Sequence, residues 1–280
     1  RKYRISGRRT GRARKGVKRG MKTVLTIAGS DCSGGAGIQA DLKTIAAHGL
    51  YGMSVITALT AQNTLGVSDV MPVPAAFLKE QLDSVISDIR PDAVKIGMIP
   101  DKEQLLVIAA ALKEQKITQV VVDPVMAATS GRKLSGDASG DFFLELFAEA
   151  ALITPNIPEA ARLLGEEIHD KKEVEQAAAS LAKKYRTAVL IKGGHADTGA
   201  DDYLFTGEEG VWFPGTRLHN TNTHGTGCTL SSAIACGLAE EFPLKEAVGR
   251  AKEYLTGAIA AGLDLGHGNG PLDHMYRLRK

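Results

Sequence analysis

The sequence predicts one α/β domain in which helices cover both faces of a mainly parallel sheet. Three observations support this fold class. About six short apolar runs typical of buried strands alternate with helical patterns, and a hairpin pattern follows them. No repeat period or linker divides the 280 residues. Glycine-rich and polar segments follow the strands, where open α/β sheets bind ligands. A single three-layer domain over residues 21–280 is therefore expected, with its ligand site at one sheet edge.

The first strand and helix set the pattern for the rest. Thr23 to Ala28 is an apolar, β-rich run, and residues 29–37 form a glycine-rich loop. Helical spacing begins at Ile38 and ends before Gly49. The loop matches neither a Rossmann fingerprint nor a Walker A motif. Its close glycines still indicate that backbone approaches a ligand.

The later elements alternate in the same way. Residues 127–139 between them are rich in glycine and serine, and we expect a mobile loop there. The expected elements are strand 54–60, helix 74–89, strand 93–96, helix 101–114, strand 119–122, helix 140–150, strand 151–153, helix 171–185, strand 188–191, an antiparallel hairpin of 202–205 and 211–213, a helix after residue 228, and helix 243–263.

Composition excludes several classes of protein. The chain is 44% hydrophobic and 24% charged, which is ordinary for a globular protein. No apolar run approaches the ~20 residues of a membrane span. Cys32, Cys228 and Cys236 are too few and too irregularly spaced for a disulfide framework or a zinc site. A reducing cytoplasm fits this cysteine usage best.

The basic charge is confined to the amino-terminal end. Residues 1–20 hold ten lysines and arginines and no acid, whereas the rest has 24 basic and 32 acidic residues, a net charge of −8. Bulk charge therefore argues against a nucleic-acid-binding body. We expect residues 1–20 to be disordered. They are either a basic arm for RNA or an anionic surface, or the product of a start codon placed before Met21.

Polar side chains at the strand ends are candidate ligands. Gln62 can offer a donor and an acceptor to a heterocycle, or it is a solvated loop amide. Asp123 directly follows a buried strand and suits a metal–phosphate site, although a helix cap is the alternative. Asn156 and Glu159 could face one ligand or form a capping box. Lys192, beside two glycines, suits a phosphate.

The stretch 222–232 is the best candidate for the chemistry. Gly225 and Gly227 flank Thr226 in a turn that opens directly into a helix. The first amides of a helix lack internal partners and carry the positive end of its dipole, so such a turn binds anions. Cys228 lies at its rim, where a thiolate is stabilised, and reactivity is expected. The alternative is a tight connection with Cys228 as a small buried hydrophobe.

Taken together, these motifs resemble the bacterial hydroxymethylpyrimidine/phosphomethylpyrimidine kinases of thiamine biosynthesis, within the ribokinase-like superfamily. The resemblance runs from about Thr23 to His274. It is carried by the segments Thr26–Asp31, Gly34–Asp41, Ala61–Thr64, Lys95–Met98, Asp123–Met126, Thr154–Asn156, Pro158–Ala160, Lys192–His195, Asn222–Cys228 and Gly270–Pro271.

The resemblance implies a three-layer ribokinase-like fold, ATP and Mg²⁺ as cofactors, and a homodimer. It implies a pyrimidine pocket lined by Ala36, Asp41, Gln62, Met98, Val125 and Cys228. It implies Mg²⁺ contacts through water at Asp123 and Glu159. The implied nucleotide-binding residues are Asn156, Lys192, Thr223, Gly225 and Gly227. The implied catalytic group is an anion hole of Gly225, Thr226 and Gly227 together with Cys228.

Other functions remain open at this stage. A class of pyridoxal kinases that resembles this family also carries cysteine at the position of Cys228, so a pyridoxal or pyridoxine kinase is the main alternative. A nucleotide-binding regulator that has lost catalysis, and an RNA-binding protein using residues 1–20, are rivals from other classes. The intact Asp123, Glu159, Lys192 and Cys228 argue against the regulator.

Overall fold

The computed structural model describes residues 20–126, 141–194, 200–215, 220 and 222–279. The predicted disordered segment 1–20 lies outside the described residues except for Gly20, and so do the predicted loop 127–139 and His195.

Strands and helices alternate along most of the described chain. The strands are β1 (Thr23–Asp31), β2 (Tyr51–Asn63), β3 (Gly66–Pro72), β4 (Ala93–Ile96), β5 (Val120–Val122), β6 (Leu152–Ile153), β7 (Ala188–Ile191), β8 (Asp202–Phe205) and β9 (Gly210–Phe213). The helices are α1 (Gly37–Ala47), α2 (Ala75–Ile86), α3 (Lys102–Glu114), α4 (Leu144–Phe147), α5 (Ile157–Leu164), α6 (Lys171–Tyr185), α7 (Thr226–Ala239) and α8 (Leu244–Ala261).

The strands of the described residues form one sheet in the order β3-β2-β1-β4-β5-β6-β7-β8-β9. The six strands from β2 to β7 in this order are parallel, and β3, β8 and β9 join antiparallel. All six parallel strands therefore end at the same edge. The predicted fold class, a mainly parallel sheet with a short antiparallel hairpin, is confirmed.

Both faces of the sheet are buried under helices. Alternate residues of a strand point to opposite faces: Val120 and Val122 belong to one core cluster, and Val121 belongs to the other. The first cluster includes residues of α2, α3, α5 and α6, and the second includes residues of α1, α7 and α8. These apolar contacts hold the sheet rigid between two helical layers and fix the positions of the strand ends.

Sequence reasoning was wrong at the β2 edge. It expected a strand at 54–60 followed by a polar loop, but β2 runs to Asn63 and pairs antiparallel with β3, which was not predicted. The edge strand β3 is largely exposed and carries Ser68 and Asp69 among its valines, so its apolar alternation is weak. Gln62 therefore lies on a strand.

Helix ends differ less from expectation. The predicted helix 140–150 is only the single turn α4 within the described residues. The predicted hairpin of residues 202–205 and 211–213 is confirmed as β8 and β9. No helix in the described part of the chain is both long and apolar enough to cross a membrane.

Candidate functional site

The carboxyl edge of the sheet gathers the predicted polar residues. Asp31 ends β1, Asp123 follows β5, and Lys192 follows β7. Asn156 pairs with Lys192 in a parallel bridge, which brings the ends of β6 and β7 together. The strand order thus places residues far apart in sequence around one cleft.

Asp123 and Lys192 form an ion pair in this cleft. The Nζ atom of Lys192 lies 2.6 Å from Oδ1 of Asp123, and the Thr154 hydroxyl donates to the same oxygen at 3.1 Å. Burial opposes the charge on Lys192, but Asp123 and Glu159 outweigh it and raise the pKa of the amine. The lysine therefore stays protonated and available to a further anion.

Glu159 takes the capping-box role, one of its two predicted alternatives, and its role toward a ligand stays a prediction. Asn156 caps α5 by accepting the Glu159 amide at 2.8 Å, and the Glu159 carboxylate accepts the Asn156 amide at 2.8 Å, so the capping box is present. Burial raises the pKa of Glu159 to about 7, with Lys192 opposing this and Asp123 adding to it. The charges of Asp123 and Lys192 therefore both affect the pKa of this carboxylate, and a further cation beside it would favour its ionised form.

The glycine turn before α7 points at this pair. Gly225 has φ +86° and is the N-cap of α7, with no side chain capping the helix. A Cβ atom on Gly227 would lie 3.1 Å from Oδ2 of Asp123 and 3.3 Å from Nζ of Lys192. Among the described residues none accepts a hydrogen bond from the amides of Gly227 or Cys228. The expected open helix N-terminus is thus next to the ammonium group of Lys192, whose side chain is only 13% exposed.

The two sides of the turn differ in their contacts. The Thr226 amide donates to the carbonyl of Thr223 at 3.3 Å, which closes the turn. A Cβ atom on Gly225 would lie 2.0 Å from the carbonyl oxygen of Gly35, so this turn packs directly on the glycine loop before α1. Glycine is required at 225 both for the positive φ and for this approach.

Cys228 lies half-buried in the first turn of α7. The expectation of a stabilised thiolate is wrong in direction, because burial raises the pKa of the thiol above its ordinary value of 9.0. The charge of Lys95 and the Gly37 amide lower the pKa, but they do not offset burial. At neutral pH the thiol is therefore protonated in the ligand-free chain.

Asp41 does not line the open cleft, contrary to the resemblance. Both of its oxygens bond to Nζ of Lys95, at 2.9 and 2.8 Å, and both residues are fully buried. Thr26 and Ser232 also donate to the carboxylate, at 2.6 and 2.7 Å. Burial disfavours the ammonium, but Asp41 outweighs this and raises the pKa of Lys95. This pair ties α1, β1, β4 and α7 together beneath Cys228.

The other residues expected in the pyrimidine pocket follow neighbouring strands. Ala36 is the N-cap of α1, and its amide donates to Asp31 at 2.8 Å. Met98 follows β4, and its carbonyl accepts the Thr57 hydroxyl at 2.7 Å. Val125 follows β5 and is half-buried. All three thus lie at the sheet edge that carries the Asp123–Lys192 pair.

Sequence reasoning assigned no role to Asp31 or His224. Asp31 accepts the amides of Ser33, Gly35 and Ala36 and the Ser33 hydroxyl, all within 3.0 Å. Burial would raise the pKa of Asp31, but His224 and these donors lower it to about 2. An acid placed directly before a glycine cluster is the signal that could have identified it.

A direct metal cage is absent from the described residues, where no three His, Cys, Asp or Glu side chains converge. Asp123 and Glu159 remain the acids next to Lys192. No described residue donates a hydrogen bond to Oδ2 of Asp123, although Oδ1 has two donors. Two carboxylates fit a cation that keeps several waters and phosphate oxygens, as Mg²⁺ does.

Comparison with known proteins agrees with this geometry. A family model described as phosphomethylpyrimidine kinase matches residues 31–273. The chain is 51% identical to the thiamine biosynthesis bifunctional protein ThiED of Geobacter sulfurreducens, over 90% of the chain and 52% of that protein. It is 49% identical to the hydroxymethylpyrimidine/phosphomethylpyrimidine kinase of Rhizobium meliloti, over 90% of the chain and 97% of that protein.

A solved structure extends the comparison to the fold. The ADP complex of Bacillus subtilis pyridoxal kinase has a TM-score of 0.84 and is 34% identical. The match covers 93% of this chain and 100% of the pyridoxal kinase chain. The pyridoxal kinase is thus the more distant relative by sequence, and the predicted family and kinase class are confirmed. With a matching family model over most of its length and a full-length relative at 49% identity, the chain belongs to the phosphomethylpyrimidine kinase family.

Proposed function

We propose that the chain transfers the γ-phosphoryl group of ATP to hydroxymethylpyrimidine and to its monophosphate in thiamine biosynthesis. One observation carries the proposal: the uncapped start of α7 lies within contact distance of both Asp123 and Lys192. Phosphoryl transfer needs mainly positioning and neutralisation of charge, and an amide cluster beside a cation supplies both. The names of the relatives supply the acceptor.

Different residues bind the transferring phosphoryl group and the nucleotide. In the turn of Gly225, Thr226 and Gly227, the amides of Gly227 and Cys228 hold the equatorial oxygens, because the Thr226 amide already donates to the Thr223 carbonyl. Lys192 neutralises the charge that these oxygens gain. Asn156 and Thr223 line the nucleotide side of the same turn. The ADP complex of the pyridoxal kinase supports a nucleotide on this scaffold.

Magnesium fits the carboxylates of this cleft. Asp123 and Glu159 would hold its water shell, and the bound cation would neutralise phosphate oxygens. The raised pKa of Glu159, about 7, supports this assignment, because burial and Asp123 keep the carboxylate costly to ionise even beside Lys192, and a further cation would offset that cost.

The acceptor lies on the Cys228 side of the turn. Gln62 pairs with the heterocycle edge, and Ala36, Met98 and Val125 form the apolar walls of its pocket. Cys228 takes the proton of the substrate hydroxyl as the oxygen attacks phosphorus. Because the thiol is protonated at rest, the rate should rise with pH until the thiol ionises.

A direct test compares three acceptors with ATP and Mg²⁺. The purified chain should phosphorylate hydroxymethylpyrimidine and its monophosphate with higher kcat/KM than pyridoxal. Pyridoxal is the second candidate because its kinase shares the fold with a TM-score of 0.84. A preference for pyridoxal would favour that kinase, and turnover of none of the three would favour a regulator.

The state of the protein in the cell belongs to the same proposal. We infer a cytoplasmic homodimer, which light scattering of purified protein should show as twice the mass of 29.6 kDa.

The intact mass of the natively expressed chain would decide whether residues 1–20 exist. If they bind RNA, deleting them should abolish a salt-dependent RNA affinity.

A further inference from the structure

His224 joins two parts of the site that the proposed mechanism leaves unconnected. Its Nε2 atom lies 2.8 Å from Oδ2 of Asp31 and 3.0 Å from the amide nitrogen of Gln62. The side chain is 7% exposed, and a Cβ atom on Gly35 would lie only 2.3 Å from the Cδ2 atom of the imidazole. The ring is therefore packed tightly between the two glycine loops.

The proton on this ring is fixed by its neighbours. Asp31 already accepts four hydrogen bonds from its own loop and is ionised, with a pKa of about 2. An ionised carboxylate only accepts, so Nε2 of His224 must carry the hydrogen that faces it. The Nδ1–H tautomer lacks that hydrogen and would set the Nε2 lone pair against a negative charge at 2.8 Å.

The same proton dictates the orientation of the Gln62 amide. The single Nε2 hydrogen points mainly at Asp31, and two N–H donors facing each other at 3.0 Å would repel, so the oxygen of Gln62 turns toward Nε2, shares that hydrogen, and the amide nitrogen turns away. The nitrogen then faces the Thr60 hydroxyl, which lies 3.3 Å from the other amide atom. That hydroxyl donates to the Ser30 carbonyl at 3.0 Å, so its oxygen is able to accept.

We propose that Asp31 and His224 are positioning residues that hold the Gln62 amide in one orientation and so select the substrate edge. In that orientation Gln62 has one remaining donor and one remaining acceptor. They match a ring nitrogen that accepts beside an amino group that donates, as in a 4-aminopyrimidine. A 4-oxopyrimidine presents the reverse pattern and requires the amide to turn. This proposal rests on the proposed function and on Gln62 facing the heterocycle.

The selectivity can be measured with paired substrates. His224→Leu removes the ring N–H, and His224→Gln keeps an N–H at a similar reach. The test compares kcat/KM for hydroxymethylpyrimidine with that for its 4-oxo analogue. In His224→Leu the preference for the amino compound should fall about tenfold, mainly through KM, since one hydrogen bond of this kind is lost. His224→Gln should retain most of the preference. His48→Leu, at the C-cap of α1 and away from the glycine loops, should leave it unchanged.

Different results separate the positioning role from the proposed function. An unchanged preference in an active His224→Leu protein would overturn the positioning role alone. Lack of activity of the wild-type chain on both pyrimidines would overturn the proposed function and the selectivity with it. If His224→Leu does not fold, the ¹⁵N shifts of the wild-type imidazole still decide. A protonated Nε2 on His224 supports the proposal, and a deprotonated Nε2 contradicts it.

Discussion

Two glycine-rich segments open helices at the same sheet edge, yet only one can take an external anion. In the segment 29–37, the amides of Gly35 and Ala36 donate to Asp31, an acid of the same loop. In the segment 222–228, no side chain caps α7, and the charges beside Gly227 are those of Lys192 and Asp123. The amides of the first loop are therefore satisfied by Asp31, whereas those at the start of α7 have no side-chain anion bound to them.

The difference teaches how to interpret such segments. A cluster of glycines before a helix indicates that amides converge, but not what they bind. The presence of an acid within the loop is the deciding feature, because an ionised side chain can satisfy the amides internally. The loop at 29–37 contains Asp31, whereas the segment 222–228 contains no acid. We therefore expect loss of the amide donors in the second segment to alter catalysis, and loss of the Asp31 carboxylate in the first to lower stability as well as selectivity.

The largest effect is expected at Cys228. Cys228→Ala should lower turnover of hydroxymethylpyrimidine about 10²–10⁴-fold while ATP affinity is kept, because only the proton acceptor is lost. In the wild type, turnover should rise with pH through the neutral range, since the pKa of the thiol is raised and its ionised fraction grows with pH. Steady-state kinetics at several pH values measure both effects.

Cys236→Ala provides the control for this change. Cys236 lies fully buried on the same helix, away from the turn, so its loss should reduce stability and leave turnover nearly unchanged. Equal turnover of Cys228→Ala and wild type would remove the proton-acceptor role and leave Cys228 as a packing residue.

The next effect separates activity from stability at one glycine. Gly227→Ala places a methyl group 3.1 Å from Asp123 Oδ2 and 3.3 Å from Lys192 Nζ, where phosphate should bind. We expect kcat/KM to fall about 10²-fold through misplacement of the phosphoryl group. Stability should hold or rise by up to about 1 kcal/mol, because alanine is the better helix former. Steady-state kinetics test the expected fall in kcat/KM, and urea unfolding tests the expected stability.

Gly237→Ala is the matched control on the same helix. Its Cβ atom would lie 2.8 Å from that of Ala247, so α7 and α8 would be pushed apart. This variant should lose stability and keep its kcat/KM per folded molecule. If Gly227→Ala behaved in the same way, the turn at 225–227 would be a structural connection and not an anion site.

Much of this site could be predicted because its residues follow strands. Asp123, Asn156 and Lys192 come directly after apolar runs, and parallel strands bring such positions to one edge. The Asp41–Lys95 pair could not be predicted, since its two members lie on α1 and β4 and only packing shows that they meet in the core. The thiol pKa was misjudged for a similar reason. The helix N-terminus can be identified from the sequence, but the burial that outweighs it cannot.

Acid unfolding should show that the first loop depends on its internal anion. The pKa of Asp31 is about 2 in the folded chain and 3.8 ordinarily, so the folded state favours the ionised form. This stabilisation, about 2 kcal/mol, is present above pH ~4 and is lost as the pH falls toward ~2. Urea unfolding across this range measures it. Asp31→Asn should be less stable at neutral pH and show a smaller loss on acidification. An equal slope in both proteins would contradict the assignment.

The smallest effect concerns Glu159, whose carboxylate accepts the Asn156 amide but, unlike that of Asp31, has a raised pKa. Glu159 has a pKa of about 7 in the ligand-free chain, because burial disfavours its charge and Asp123 repels it. Mg²⁺ requires the ionised form, so Mg²⁺–nucleotide affinity should fall by up to about tenfold for each pH unit below 7. Calorimetry of wild type and Glu159→Gln at several pH values isolates this dependence, since protonation of the nucleotide affects both proteins equally. Equal pH profiles would show that Glu159 serves only in the capping box of α5, and the cation would then be held through Asp123 alone.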